Sequence, residues 1–142
     1  MADITFTAAN IIPSSDAAYL YDPATAGETL VAGDIVYYKT SDSRYWKSDA
    51  DASASSKIAG ICAGGAAAGQ QFKLIISDSA MACGVVLTQG YPYTLSATAG
   101  KMCQVADTIA AANQYVEVVG VAQTTSTLKF NFTTQAVGVL KA

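Results

Sequence analysis

Histidine is absent from this 142-residue chain, and charge is scarce, at 13% Asp, Glu, Lys and Arg. Without an imidazole, Ser-His-Asp and Cys-His nucleophile arrangements are excluded, as are histidine-ligated metal sites. The eight Lys and Arg residues are scattered singly against eleven Asp and Glu, leaving a net charge of −3. Binding to a phosphate backbone needs clustered cations that release counterions, so a nucleic-acid partner is not expected. No apolar run approaches the ~20 residues that cross a bilayer as a helix, so no membrane partner is expected either. The opening Met1-Ala2-Asp3-Ile4-Thr5-Phe6 has neither a basic n-region nor an apolar core. A secretion signal is therefore not expected; the chain is expected to be made in a cytoplasm and to stay there or leave by another route.

The chemistry-bearing residues that remain form no constellation. Cys62, Cys83 and Cys103 are odd in number and lack the spacing of a zinc site. They read as small buried apolar residues. Residues 60–69 are glycine-rich but lack the Gly-Lys-Ser/Thr of a phosphate cradle, and a hairpin turn explains the glycines. Asp42, Asp49 and Asp51 lack the glycine and the bidentate glutamate of a calcium loop and read as solvated carboxylates. Asn131-Phe132-Thr133 matches a glycosylation sequon, read as accidental without a secretion signal. The expectation is a chain with no catalytic residue, no metal and no cofactor, and not an enzyme.

Scarce charge also bears on the surface. A soluble monomer normally covers itself with charged side chains, ~25% of residues. A chain with half that share and 51% apolar residues is expected to have part of its surface covered by other protein.

What the sequence does contain is β structure, apparently written twice. The first copy runs from Val31-Ala32-Gly33-Asp34-Ile35-Val36-Tyr37 through Ile58-Ala59-Gly60-Ile61-Cys62 to Lys73-Leu74-Ile75-Ile76. The second runs from Leu87-Thr88-Gln89-Gly90-Tyr91-Pro92-Tyr93 through Val118-Val119-Gly120-Val121-Ala122 to Leu128-Lys129-Phe130-Asn131-Phe132. Each copy has a strand ending in Tyr, a hairpin, an apolar strand interrupted by one Gly, and a closing strand. The pattern predicts strands over 34–39, 44–47, 58–63 and 71–77, then over 93–96, 101–105, 115–121 and 127–133. It predicts turns at 22–27, 41–43 and 64–69, a polar loop over 48–57, and one helical turn near 109–112. Short strands at regular spacing indicate an all-β fold, a small β-barrel or β-sandwich built from two related halves. The domain reading is an extended N-terminal arm over 1–16 and a single β domain over 17–142, with pseudo-repeats at about 30–77 and 86–133.

The arm alternates apolar and polar residues up to Pro13 and cannot bury its apolar face alone. It must lie on its own barrel or on a neighbour, where it would add a strand to an open edge. Ile4, Phe6, Ile11 and Ile12 are therefore candidate interface residues. Tyr19, Tyr21 and Trp46 join them, because their rings suit half-buried positions at protein surfaces.

The run Ala2-Asp3-Ile4-Thr5-Phe6-Thr7-Ala8-Ala9-Asn10 resembles the start of small virion proteins of tailed bacteriophages. So do Leu30-Val31-Ala32-Gly33-Asp34-Ile35-Val36-Tyr37 and the segment Ile58-Ala59-Gly60-Ile61 with Gly64-Gly65-Ala66-Ala67-Ala68-Gly69-Gln70. The resemblance is to capsid decoration, or cement, proteins and extends loosely over most of the chain. It implies a small β-barrel or sandwich, a homo-oligomer (commonly a trimer) bound to the major capsid protein on the outside of the head. It carries no catalytic residue. Two alternatives remain at this stage: a tail or fibre component of the same virion, and a carbohydrate-binding adhesion module using the Tyr and Trp rings.

Overall fold

The computed structural model describes residues 3–4, 6–20, 24–104 and 115–132, and the backbone of 139–140. The arm contributes β1 (Asp3–Ile4), one 3-10 turn (Ala8–Asn10) and β2 (Ala18–Tyr19). Then follow β3 (Ala24–Thr25), β4 (Ile35–Lys39), β5 (Arg44–Lys47), β6 (Gly60–Cys62), β7 (Gln71–Phe72) and the nine-residue β8 (Leu74–Ala82). The rest comprises β9 (Pro92–Leu95), β10 (Met102–Gln104), β11 (Tyr115–Val116), β12 (Val118–Ala122), β13 (Thr127–Asn131) and β14 (Val139–Leu140). No α-helix occurs among the described residues, and the helical turn expected near 109–112 lies outside them. The fold is all-β, an antiparallel sheet curled into a half-barrel, with small two-stranded sheets β3–β7 and β11–β14 beside it.

Hydrogen bonds make the two halves equivalent. Each half is a hairpin, a glycine-bearing strand and a closing strand, in the order β5-β4-β6-β8 and β10-β9-β12-β13. Gly33 N–H donates to Cys62 O (2.8 Å) and Cys62 N–H to Asp34 O (2.9 Å). In the second half Gly90 N–H donates to Ala122 O (2.9 Å) and Ala122 N–H to Tyr91 O (3.1 Å). The glycine inside each apolar strand meets the same obstacle. A Cβ on Gly60 would stand 2.5 Å from Ile75 O, and one on Gly120 would stand 2.4 Å from Lys129 O. Both closing strands therefore cross too near for any side chain there.

The closing strands join the halves, with β8 and β13 pairing antiparallel. Ile75 pairs with both Ile61 and Tyr19, Ser77 with both Asn131 and Ala18, and Ala82 with both Thr127 and Ile12. A strand residue has only two edges. So β6 and β13 lie end to end along one edge of β8, and the arm runs along the other. The seam between halves is closed further by the 48–57 loop. Gly100 N–H donates to Ser48 O (2.7 Å), Ala50 N–H to Ser96 O (2.9 Å) and Ile35 N–H to Gly100 O (3.1 Å).

The halves differ in what covers them. In the first half, Ile35, Ile61 and Ile75 enter the main core. Their neighbours Val36, Cys62 and Leu74 enter a second core on the opposite face, closed by Leu30, Ala66 and Phe72. In the second half, Tyr93, Ala122 and Leu128 enter the main core, and Tyr93 Oη accepts the Thr88 N–H at 2.9 Å. On the opposite face Thr94 and Cys103 are buried, whereas Val118 and Val121 of β12 are 46% and 41% exposed.

Four sequence expectations change. Residues 24–25 are a strand, not part of a turn, because the β7 edge pairs with them. The closing strand of the first half runs past Ser77 to Ala82, because the arm and β13 satisfy its polar residues. The 48–57 loop is not simply solvated: Ser48, Ala50 and Ser56 are fully buried at the seam. The apolar strand expected over 58–63 is paired only over 60–62.

The glycine equivalence is testable by urea denaturation. Gly60→Ala and Gly120→Ala are each expected to lower stability by about 1–3 kcal/mol, the cost of forcing a methyl against a backbone carbonyl. Gly64→Ala, with nothing within 4 Å of its added Cβ, should stay within about 0.5 kcal/mol of the parent.

Candidate functional site

The titratable groups serve the fold. Asp42 accepts from Arg44 N–H (3.0 Å) and Trp46 Nε1 (3.0 Å), and Asp49 accepts from Asp51 N–H (3.0 Å) and Ser55 Oγ (2.8 Å). These carboxylates are thus occupied within their own loops rather than converging on a cation, and no cluster of three metal-ligating residues occurs among the described residues. Asp78, 3% exposed, accepts the Ser14 hydroxyl, the Ser14 N–H (2.8 Å) and the Ala80 N–H (3.0 Å). Asp16 takes the hydroxyls of Ser14 and Ser79, which hold its carboxyl down at about 2. This network pins the arm to β8. All three cysteines are free and buried. Burial pushes the Cys83 thiol up to about 12 and the Cys62 thiol up as well, so neither provides a thiolate nucleophile near neutral pH.

The interface candidates separate into two groups. Ile4 and Phe6 pack half-buried against the main core, and Ile11, 8% exposed, belongs to it. β1 pairs with the outer edge of β10, Thr7 Oγ1 donates to Gly84 O (2.9 Å), and Ile12 bridges Ala82. Of the two resting places open to the arm, the chain uses its own barrel. Ile12 (63% exposed) and Tyr19 (40%) point outward, with the Lys73 ammonium 5.3 Å from the centre of the Tyr19 ring. Tyr21 lies outside the described residues. Trp46 is half-buried and engaged: its indole is packed against Gly27, its Nε1 donates to Asp42, and the Lys39 ammonium sits 4.8 Å from its centre.

The outward side of β12 is a surface that the sequence pattern does not mark. Val118 and Val121 are 46% and 41% exposed there. With Lys129, Phe130 and Asn131 they line a shallow, mostly apolar groove. The run Val118-Val119-Gly120-Val121 offers no alternation to say that one face is wet, because Gly120 interrupts the pattern and the register shifts between Val118 and Gly120. No family model matches the chain, and no curated protein shows significant similarity to it.

Two buried carboxyls stand apart from these surfaces, Asp34 (7% exposed) and Glu117 (4%). Burial raises the Glu117 carboxyl from 4.5 to about 7. The folded state then holds a proton that the unfolded chain has already released. This group's contribution to stability is fully present below pH ~4.5, is lost as pH rises through 7, and changes no further above that. Burial raises Asp34 in the same sense, though the Val31 N–H and Lys47 oppose it. The urea midpoint should therefore be lower at pH 8 than at pH 5. Glu117→Gln is expected to remove about 1–2 kcal/mol of that difference, allowing for partial relaxation of solvent around the charge. An unaltered pH dependence in the variant would clear Glu117 as its cause.

Proposed function

We propose that this chain is a non-enzymatic structural protein of a tailed-bacteriophage head, a decoration protein that binds the outer surface of the shell. Its partners in this reading are the major capsid protein and further copies of itself, in the trimer that the family resemblance implies. The observation that carries the reading is the pair of half-exposed valines on β12, Val118 and Val121, beside a shallow groove. Such a face, framed by a single lysine and without an acid–base cluster, suits adhesion to another protein rather than chemistry. The sheet edges support the same reading. β1, at one end of the main sheet, is two residues long, and the outer edge of β5 is bridged by Ala26. Copies crowded on a lattice would then have little free edge on which to pair wrongly.

A sugar-binding adhesion module fits less well. The Trp46 ring already carries Lys39, and Asp42 is occupied by the Trp46 indole and the Arg44 amide. Neither is free to stack on, or hydrogen-bond to, a glycan.

Quantitative mass spectrometry of purified particles should give a copy number comparable to that of the major capsid protein. A handful of copies would place the chain in the tail, and its absence would overturn the virion reading. Reconstitution tests the surface. The parent protein should sediment with undecorated heads, whereas Val118→Asp/Val121→Asp should lose affinity about tenfold or more with its urea midpoint nearly unchanged. Full occupancy by the variant would exclude the β12 face as the docking surface.

A further inference from the structure

We propose that the cleft between the N-terminal arm and the turn preceding β4 receives the side chain of a lysine from a partner protein, with Asp34 as its counter-charge. Ile4, Phe6, Val31 and Met102 give the cleft apolar walls, and Asp34 and Lys101 are its charged groups. Its volume is about 90 Å³. That is several times the ~10–15 Å³ that admits one water and less than the ~150 Å³ of a cavity that takes benzene. A slim, unbranched chain fits where a ring does not.

Asp34 supplies the second, independent observation. It is 7% exposed, and its Oδ2 accepts the Val31 N–H at 2.9 Å. Its Oδ1 has no hydrogen-bond partner among the described residues, and neither Lys47 nor Lys101 forms an ion pair with it. Ser48 Oγ is the only fully occluded side-chain polar atom without a partner among the described residues, so Asp34 Oδ1 touches open space. Asp34 lines this cleft, and its Oδ1 lies beside Gly100, another residue of the cleft wall, 3.1 Å from where a Cβ there would stand. A largely enclosed carboxylate oxygen without a protein donor favours a cation placed on it, in addition to the attraction it already receives from the more distant Lys47 and Lys101.

The geometry selects lysine over arginine. A guanidinium favours two acceptors at once, and here only one carboxylate oxygen is free. An ammonium needs a single acceptor, and its four-carbon stem buries along apolar walls such as Ile4 and Phe6. Val31, which lines the cleft and is 51% exposed, gives the partner an apolar contact outside it. The net charge of −3 favours approach of a basic segment. This inference stands apart from the head reading, since any protein presenting such a lysine satisfies it.

The test uses n-butylammonium as a mimic of the lysine side chain, with n-butanol and butyrate as comparisons. Methyl resonances of Ile4, Val31 and Met102 are followed during each titration. Butylammonium should shift all three and bind about tenfold or more tightly than butanol, and butyrate should shift none. Asp34→Asn, which keeps the cap on Val31, should weaken butylammonium binding about tenfold or more. No binding, butanol binding as tightly as butylammonium, or undiminished binding by the variant would each overturn the proposal. Should Asp34→Asn disturb the turn, the ranking of the three probes on the unaltered protein decides alone.

Discussion

The structure depends on β8 having a partner along both edges. Nine residues of strand extend about 30 Å, long enough to hold two shorter strands end to end. β6 and β13 occupy one edge and join the halves, while the arm occupies the other. The register shifts where β13 and β2 meet β8, and such irregularities bend a strand and let a sheet curl. Without the arm, a row of backbone donors and acceptors on β8 would face solvent. Ile11 would also leave the main core, and burial of such a side chain contributes about 1.5–3 kcal/mol. The arm is therefore a strand of the fold, with Ile12 and Tyr19 among its exposed side chains.

The two halves repeat a backbone pattern and then diverge in environment. Val121 stands where the first half has Ile61, and Lys129 stands where it has Ile75, judged by their pairing with the equivalent strands. The first half is buried on both faces, between the main core and the smaller one. In the second, Thr94 and Cys103 are buried on the side away from Tyr93 and Leu95, while Val118 and Val121 are half-exposed. That asymmetry explains how a chain so poor in charge presents a half-exposed apolar surface without failing to fold. Neither Val118 nor Val121 belongs to either core cluster.

Much of the strand plan was legible. The β4–β5 hairpin is marked by β-branched and aromatic residues on either side of Ser41-Asp42-Ser43, and its strands fall where the pattern puts them. The end of β8 was not legible, because Ser77-Asp78-Ser79 has the composition of a turn. Those residues are held in a strand by partners far away in sequence: Asp78 by Ser14, and Ser79 by Asp16. Ala24–Thr25 was likewise hidden beside Pro23 and Gly27, since only pairing with Phe72 and Gln71 makes it a strand. The buried carboxyls Asp34 and Glu117 carry no local mark, because an Asp or Glu is written identically whether it is solvated or enclosed.

The all-β class, the internal duplication and the loss of imidazole chemistry were determined by the sequence alone. Each depends on local periodicity or on composition, and neither needs a partner to be read. Tertiary structure decided which face of each strand meets water, where the arm lies, and that Asp34 lines a cleft with one oxygen unpaired. An alternating strand has two sides but does not say which is covered. The cover comes from residues tens of positions away, and its free energy is set by their packing rather than by the strand's own residues.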